Sequence, residues 1–160
     1  MISYKERLPK ITTFIFDVDG VLTTGEVLLL DGNVIRITNS KDAYALQYAA
    51  KMGYRIIVLT GGNSSDVKER MLSLGVTEVF LSSHEKTKIY QDVKEKYDLV
   101  DEEVLYMGDD IPDYHVMREV GIATCPQDAA VEIKDICHYQ SPRAGGKGCV
   151  RDIIEQTLRV

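Results

Sequence analysis

Short apolar segments alternate with amphipathic segments along most of the chain. Continuous apolar or β-branched runs are typical of buried strands, and apolar residues spaced three and four apart are typical of helices. Regular alternation of the two predicts a doubly wound, Rossmann-like α/β fold, in which helices cover both faces of a parallel sheet. The predicted strands are 12–16, 55–59, 78–81, 104–107, 121–123 and 137–139, and the predicted helices are 40–52, 64–74, 86–96, 113–120, 129–134 and 148–159.

One segment breaks this alternation between the first predicted strand and the first predicted helix. Two apolar runs in residues 27–37 surround Asp31 and Gly32, a pair typical of tight hairpin turns. The insertion, about residues 25–38, therefore projects above the carboxyl ends of the strands, where parallel sheets bind ligands. Its apolar side chains exceed what two free strands can bury. It either folds over the site or packs against another subunit, and we favour the second.

Composition and charge exclude several classes of protein. The 160 residues suit a single domain with one core. A net charge of −6 without a basic stripe argues against a nucleic-acid-binding protein, so an anionic substrate needs a local cation. No apolar run approaches the roughly 20 residues that span a bilayer, and residues 1–10 lack the apolar core of a signal peptide. Three cysteines without a C-x-x-C pair predict reduced thiols, and we expect a cytoplasmic protein.

Two carboxylates stand one residue apart directly after the first predicted strand. Asp17 and Asp19 fall on the same side of an extended backbone, so they repel each other and are costly to bury without a cation. Gly20 allows a sharp turn that directs backbone N–H groups toward an anion. On its own the pattern also fits a solvated turn with an N-cap. Together with the segments that follow, it indicates a metal site, a carboxylate nucleophile and a phosphate cradle.

Phosphate binding is also indicated after the second predicted strand. Thr60, Gly61 and Gly62 precede a helix, where a hydroxyl and free backbone N–H groups suit a phosphate oxygen. The alternative is a plain connection between strand and helix, capped by Asn63 or Ser64.

A lysine begins the predicted helix that follows the third strand. Lys86 lies where the helix dipole disfavours a cation, and neutralising both a phosphate and the nucleophile would explain its position. Lys88 is the competing choice for this role. The alternative for either lysine is plain solvation.

Three carboxylates follow the predicted strand 104–107. Mg²⁺ prefers hard oxygen ligands completed by water, and Asp109 is the candidate ligand. Asp110 or Asp113 would lie behind it and position a ligand or Lys86. The alternative for Asp113 is a role only as the N-cap of the next helix.

Together these four segments closely resemble the motifs of the haloacid dehalogenase superfamily of phosphatases. The resemblance covers nearly the whole chain and implies a haloacid dehalogenase-like fold without a cap domain. It implies that Asp17 is the nucleophile, which forms an aspartyl-phosphate, and that Asp19 is the general acid and base. Mg²⁺ would be held by Asp17, the backbone carbonyl of Asp19, and Asp109. The matching residues are Asp17-Val18-Asp19-Gly20-Val21, Thr60, Lys86 and Gly108-Asp109-Asp110-x-x-Asp113.

The chain is also similar to a capless subgroup, the 3-deoxy-D-manno-octulosonate 8-phosphate phosphatases. The similarity lies in the short chain, in Thr23-Thr24-Gly25 at the start of the hairpin, and in the segment 143–151 of the C-terminal tail, about residues 141–160. It implies a small phosphorylated sugar acid as substrate, in lipopolysaccharide sugar synthesis. It also implies a homotetramer with the hairpins at its centre and a neighbouring subunit closing the site. Arg143 or Lys147 would meet the substrate carboxylate, unless the glycine-rich tail is only a flexible loop.

Two departures from this resemblance leave the substrate open. Thr24 stands where many relatives carry Asp, and Gly62 where octulosonate phosphatases carry Arg and a nonulosonate 9-phosphate phosphatase carries Glu. Arg70, in the predicted helix 64–74 that follows Gly62, is a candidate substrate ligand or a surface charge. A third possibility is a non-catalytic tetramerisation module, like that attached to acylneuraminate cytidylyltransferases. The intact set of acidic residues and Lys86 argues against it.

Overall fold

A six-stranded parallel sheet organises the molecule, for which a computed structural model describes residues 1–159. The strands lie in the order β5-β4-β1-β6-β7-β8, with β1 at the centre between β4 and β6. A separate hairpin is made of β2 and β3. The strands are β1 Thr13–Phe16, β2 Leu28–Leu30, β3 Asn33–Ile35, β4 Arg55–Leu59, β5 Glu78–Phe80, β6 Val104–Met107, β7 Ile122–Cys125 and β8 Tyr139–Gln140.

Helices connect successive strands and cover both faces of the sheet, as the alternation of the sequence predicts. Strand residues alternate between the faces, so that Phe14 and Phe16 belong to one buried cluster and Ile15 to the other. The first cluster includes residues of α2, α3 and α7, and the second includes residues of α4, α5 and α6. The helices are α1 Tyr4–Arg7, α2 Ser40–Lys51, α3 Ser65–Ser73, α4 Lys86–Tyr97, α5 Tyr114–Met117, α6 Val131–Ile136 and α7 Cys149–Leu158.

The hairpin stands between β1 and α2, where the sequence predicts it. Asp31 and Gly32 both have a positive φ, of 49° and 78°, which is the backbone that a two-residue hairpin turn requires. An isolated bridge between Thr23 and Thr38 closes its base. Its apolar side chains are 39–77% exposed in the single chain, and they are Val27, Leu28, Leu29, Leu30, Val34, Ile35 and Ile37.

Most departures from the predicted elements occur at their ends. The helix predicted over 113–120 is only Tyr114–Met117, and a tighter turn over Ile111–Asp113, which includes Pro112, precedes it. Strand β7 continues to Cys125, where it pairs with the short β8. The N-terminal helix α1 is not predicted, since four residues are too few to show a helical period.

The C-terminal tail is tightly packed rather than a flexible loop. The Gly146 N–H donates to the Val21 carbonyl (2.9 Å), and a Cβ on Gly145 would overlap the Gly20 carbonyl. A Cβ on Gly146 would lie 2.5 Å from the Thr24 nitrogen. The two glycines therefore let the tail approach the loop that follows β1. Residue 160, the last of the predicted tail, lies outside the described residues.

None of the helices described in residues 1–159 combines the length and apolar character that crossing a membrane would take.

Candidate active site

The four segments singled out in the sequence meet in one cavity of about 450 Å³. They meet because β1, β4 and β6 are parallel neighbours, so the loops after them emerge at the same edge of the sheet. The cavity is lined by residues of all four segments, including Asp17, Asp19, Thr60, Gly61, Gly62, Lys86, Asp109, Asp110 and Asp113.

Asp17 is held rigidly at the floor of this cavity. Its Oδ1 accepts a hydrogen bond from the Val18 N–H (2.8 Å) and lies 3.2 Å from Lys86 Nζ. Burial raises the pKa of Asp17 well above its usual range, with the Asp113 carboxylate adding to the effect, while Lys86 opposes it. A carboxylate in this setting needs a further positive charge to stay ionised.

Lys86 provides a buried cation between two carboxylates. Its Nζ lies 2.8 Å from Asp113 Oδ1 and 3.2 Å from Asp17 Oδ1, and its side chain is only 4% exposed. Burial alone would lower the pKa of Lys86, but Asp113 and Asp17 outweigh it and raise the pKa above its usual value. Lys88, the competing choice, is exposed. Of the two lysines, Lys86 is therefore the one that the structure places against Asp17 and Asp113.

Asp113 joins three parts of the site through its two carboxylate oxygens. Oδ1 accepts hydrogen bonds from Lys86 Nζ (2.8 Å) and the Tyr106 hydroxyl (2.6 Å), and Oδ2 accepts one from the Asp109 N–H (3.1 Å). Its side chain makes no hydrogen bond as an N-cap, so that alternative is not realised. A Cβ on Gly108 would lie 2.5 Å from Asp113 Cγ, so a glycine is needed there. Tyr106, buried in β6, was not among the predicted site residues because its phenol follows the pattern of a core residue.

Three carboxylates form a cluster that fits a hard divalent cation. One oxygen from each of Asp17, Asp109 and Asp113 lies within 4.8 Å of the others. Burial and the nearby Asp113 raise the pKa of Asp109 to about 6. Because Asp113 is already occupied by Lys86, Tyr106 and the Asp109 N–H, the carboxylates of Asp17 and Asp109 are the ones available as ligands. A Cβ on Gly20, whose φ is +84°, would overlap the Asp109 carboxylate, so the turn after β1 depends on glycine.

The carboxylate of Asp19 points to a different partner. Arg36, from the segment just after β3, donates from Nε to Asp19 Oδ1 (2.7 Å) and from Nη2 to Asp19 Oδ2 (3.1 Å). This ion pair was not predicted, because the two residues come together only through the direction in which the hairpin leaves the sheet. The Arg36 pKa is raised by its hydrogen bond to Asp19.

The segment after β4 forms a polar rim around the cavity. The Thr60 hydroxyl is buried and accepts from the Gly62 N–H (3.1 Å). Ser64 caps α3 by accepting from the Val67 N–H (3.2 Å), so the capping alternative holds for Ser64 and leaves Thr60 at the site. Ser83, also buried in the lining, was not predicted, although its place just after β5 was a usable signal.

Four predicted residues lie apart from the acidic centre. Asp110 is exposed at the rim, where its Oδ1 accepts from the Ile111 N–H (2.8 Å) rather than contacting Lys86. Arg70 lines a neighbouring cavity of about 650 Å³, between the hairpin and the start of α3. Arg143 and Lys147 line a third cavity of about 460 Å³. Within a single chain, the structure thus does not bring Arg143 and Lys147 to Asp17.

Comparisons with known proteins cover nearly the whole chain. The 3-deoxy-D-manno-octulosonate 8-phosphate phosphatase KdsC of Escherichia coli (strain K12) is 31% identical over 153 residues, which are 95% of this chain and 81% of that protein. No protein-family model matches.

Solved structures share the whole architecture. The crystal structure of the 3-deoxy-D-manno-octulosonate 8-phosphate phosphatase from Yersinia pestis aligns with a TM-score of 0.94 and 27% identity, over 97% of this chain and 84% of that one. The enzyme of that name from Moraxella catarrhalis, in complex with a magnesium ion, a phosphate ion and a KDO molecule, aligns with a TM-score of 0.94 and 25% identity, over 97% and 90% of the two chains.

Proposed function

The chain belongs to the 3-deoxy-D-manno-octulosonate 8-phosphate phosphatases of the haloacid dehalogenase superfamily, and we propose that it is a Mg²⁺-dependent phosphatase of phosphorylated keto-deoxy sugar acids. Its proposed substrate is 3-deoxy-D-manno-octulosonate 8-phosphate, in lipopolysaccharide sugar synthesis. We assign the activity to residues 1–160 as one domain. The observation that carries the proposal is the buried chain of contacts from Asp17 through Lys86 to Asp113, beside Asp109.

Asp17 is the proposed nucleophile. One of its carboxylate oxygens attacks phosphorus, the bond from phosphorus to the sugar oxygen breaks, and Asp19 donates a proton to the departing alkoxide. Water then attacks the aspartyl-phosphate, Asp19 takes up a proton from it, and inorganic phosphate leaves with Asp17 restored. Proton transfer at Asp19 requires Arg36 to release at least one of the two carboxylate oxygens that it holds.

The residues around Asp17 fit a bound Mg²⁺. The carboxylates of Asp17 and Asp109 would hold the ion, together with the backbone carbonyl of Asp19 that the family resemblance implies. When bound, the ion neutralises negative charge on the phosphoryl oxygens. Asp113 would keep Lys86 and the Asp109 backbone in position, and Asp110 would remain at the rim.

Lys86 and the polar rim provide the protein's own share of phosphate binding. Lys86 lies beside Asp17, where its ammonium group balances negative charge as the phosphate approaches. Thr60 and Ser83, with the backbone at Gly61 and Gly62, surround the same space with polar groups. These groups orient the phosphate for attack along one line.

Substitution of the nucleophile tests the chemistry. We expect Asp17→Asn to lower the rate of phosphate release at least about a thousandfold, because the amide cannot form the covalent intermediate. Asp92→Asn, an exposed position on α4, is the matched control and should keep wild-type activity. Circular dichroism should show both variants folded. Turnover by Asp17→Asn near the wild-type rate would reject the assignment.

The second candidate substrate is a 2-keto-3-deoxy-nonulosonate 9-phosphate. Gly62 keeps this alternative open, because it carries neither the Arg of octulosonate phosphatases nor the Glu of a nonulosonate phosphatase. Comparing kcat/KM for the two sugar-acid phosphates and for hexose phosphates decides between them. Highest activity on hexose phosphates would reject a sugar-acid substrate, and no phosphate release from any ester would favour a non-catalytic module.

A homotetramer in the cytoplasm is part of the proposal. The exposed apolar side chains of the hairpin need a cover, and a neighbouring copy could bring Arg143 or Lys147 to the substrate. Cys125, Cys137 and Cys149 are free thiols, which suits a reducing compartment. Sedimentation at micromolar concentration tests the assembly, and a monomer would remove this explanation of the hairpin.

A further inference from the structure

We propose that Arg36 is a substrate-recognition residue, whose guanidinium binds the carboxylate of the sugar acid in the space left by Gly62. This inference rests on the proposed function, since it concerns how that substrate is recognised. It gives the hairpin a direct contact with the substrate of its own chain.

The first support is the position of the Arg36 side chain. It belongs to the hairpin segment, where side chains are mostly exposed, yet its own side chain is only 13% exposed because it turns inward to Asp19. It uses Nε and Nη2 together, at 2.7 Å and 3.1 Å, on the two oxygens of one carboxylate. This fork is the geometry with which arginine recognises carboxylates, so the Asp19 carboxylate shows where and how such a group is bound.

The second support is the fit between Arg36 and Gly62. A Cβ built on Gly62 would lie 2.9 Å from Arg36 Nη2 and 3.4 Å from Thr60 Oγ1. Gly62 is not among the residues with a positive φ, so its backbone does not demand glycine. The missing side chain instead leaves room for the guanidinium. Relatives carry a larger side chain at the position of Gly62, just before α3. In this chain a cation from the hairpin, Arg36, occupies that space instead.

The third support is the distribution of charge around the two cavities. A sugar-acid phosphate carries an anionic group at each end, and a protein with a net charge of −6 must meet each with a local cation. Lys86 is already engaged by Asp17 and Asp113 at the phosphate end. Arg36 contacts Asp19 at the catalytic cavity and also lines the neighbouring cavity of about 650 Å³. It thus stands where a substrate held at Asp17 would extend away from its phosphate.

Binding of the substrate would exchange one carboxylate for another at Arg36. The guanidinium keeps a charged partner throughout, so its partial burial does not leave it unpaired. Asp19 loses its partner at the same moment and becomes free for proton transfer. A substrate with a carboxylate would in this way prepare Asp19 for its own reaction.

The test compares two esters that differ only in this group. We expect Arg36→Gln to raise KM for 3-deoxy-D-manno-octulosonate 8-phosphate about tenfold to a hundredfold. This is the loss of affinity that removing a hydrogen bond to a charged group usually causes. For the same ester with the carboxylate reduced to a hydroxymethyl group, kcat/KM should be unchanged or higher. Arg118→Gln, at an exposed position directly after α5, should match wild type on both. Equal losses on the two esters, or no loss on either, would overturn the inference.

A second pair of variants tests the position of the cation. Arg36→Ala removes Nη2, the atom nearest to a side chain at position 62, so Gly62→Arg should fit in that background. We expect the double variant Arg36→Ala/Gly62→Arg to regain part of the affinity that Arg36→Ala loses for the sugar-acid ester. A KM no better than that of Arg36→Ala alone would overturn the shared position.

Two further measurements distinguish a failure of the Arg36 contact from a failure of the proposed function. Inhibition by inorganic phosphate should be the same in wild type and Arg36→Gln; a weaker inhibition in the variant would assign Arg36 to the phosphate and overturn the carboxylate contact. If wild type hydrolyses no sugar-acid phosphate, the proposed function itself fails. If wild type hydrolyses them and Arg36→Gln affects both esters alike, only the recognition by Arg36 fails.

Discussion

Two cations serve the two aspartates of the loop after β1, and the protein holds them in opposite ways. Lys86, at the start of α4, is buried between Asp17 and Asp113 and contacts both. Arg36 comes from the hairpin and pairs with Asp19, whose side chain is 40% exposed. If the Lys86 ammonium group moved away, Asp17 and Asp113 would remain buried without a positive partner. The Arg36 guanidinium, in contrast, can exchange one carboxylate partner for another. We infer that the fixed charge supports Asp17, the proposed nucleophile, and that the exchangeable charge serves the proposed recognition of the substrate.

The largest expected effect follows from removing the fixed cation. Lys86→Met should destabilise the metal-free protein by about 3–5 kcal/mol, because Asp17 and Asp113 lose their shared partner in a buried site. Activity should fall at least about a thousandfold. Urea unfolding and phosphate release measure the two effects. Lys88→Met, two residues along and exposed, is the control; equal stability of the two variants would show that Lys86 is not a structural charge.

An intermediate effect is expected from pH in the metal-free protein. Burial and Asp113 raise the pKa of Asp109 to about 6, so between about pH 4 and 6 the folded state keeps a proton that the unfolded state has lost. Stability should therefore fall, by about 1–3 kcal/mol, as pH rises through this window. The raised pKa of Asp17 extends the fall to higher pH.

Mg²⁺ should reverse this loss, because it binds the ionised carboxylates. Thermal unfolding in a chelator and in millimolar Mg²⁺, at pH 4.5 and pH 7, gives the comparison. We expect the stabilisation by Mg²⁺ to be larger at pH 7. Equal stabilisation at the two pH values would contradict a site made of Asp17 and Asp109.

The smallest expected effect is on stability when the exchangeable cation is removed. Arg36→Gln should change the free energy of unfolding by no more than about 1 kcal/mol, because a partly exposed ion pair contributes little. Urea unfolding beside Lys86→Met measures the contrast. A loss as large as that of Lys86→Met would make Arg36 a structural charge like Lys86, and the distinction between the two cations would be lost.

The sequence predicted what depends on local pattern and missed what depends on contacts across the fold. The βα alternation predicted the parallel sheet, and parallel strands bring the ends of β1, β4 and β6 together. Those two facts place Asp17, Thr60 and Asp109 in one cavity. The pattern alone left Lys86 and Lys88 as alternatives, because burial depends on the face that α4 turns to the sheet, and it was the family resemblance that selected Lys86.

The pair of Arg36 and Asp19 shows most clearly what the sequence alone does not predict. The two lie 17 positions apart in the sequence, and the angle of the hairpin brings them together. The role of Asp113 was likewise open, since a carboxylate before a helix is compatible with capping until its partners are seen. Arg143 and Lys147 were assigned by resemblance; within one chain they line a different cavity from that of Asp17, so the assignment depends on a second copy.

The packing of the tail against the loop after β1 constrains when this loop can fold during synthesis. Gly146 donates to Val21, and the Cys149 thiol in α7 donates to the same carbonyl (3.3 Å). Residues 17–20 are synthesised before the groups that support this loop, which follow more than a hundred residues later. A nascent chain that has not yet reached residue 149 therefore lacks these supports, and the proposed nucleophile Asp17 takes its final position only after that segment has folded onto the loop.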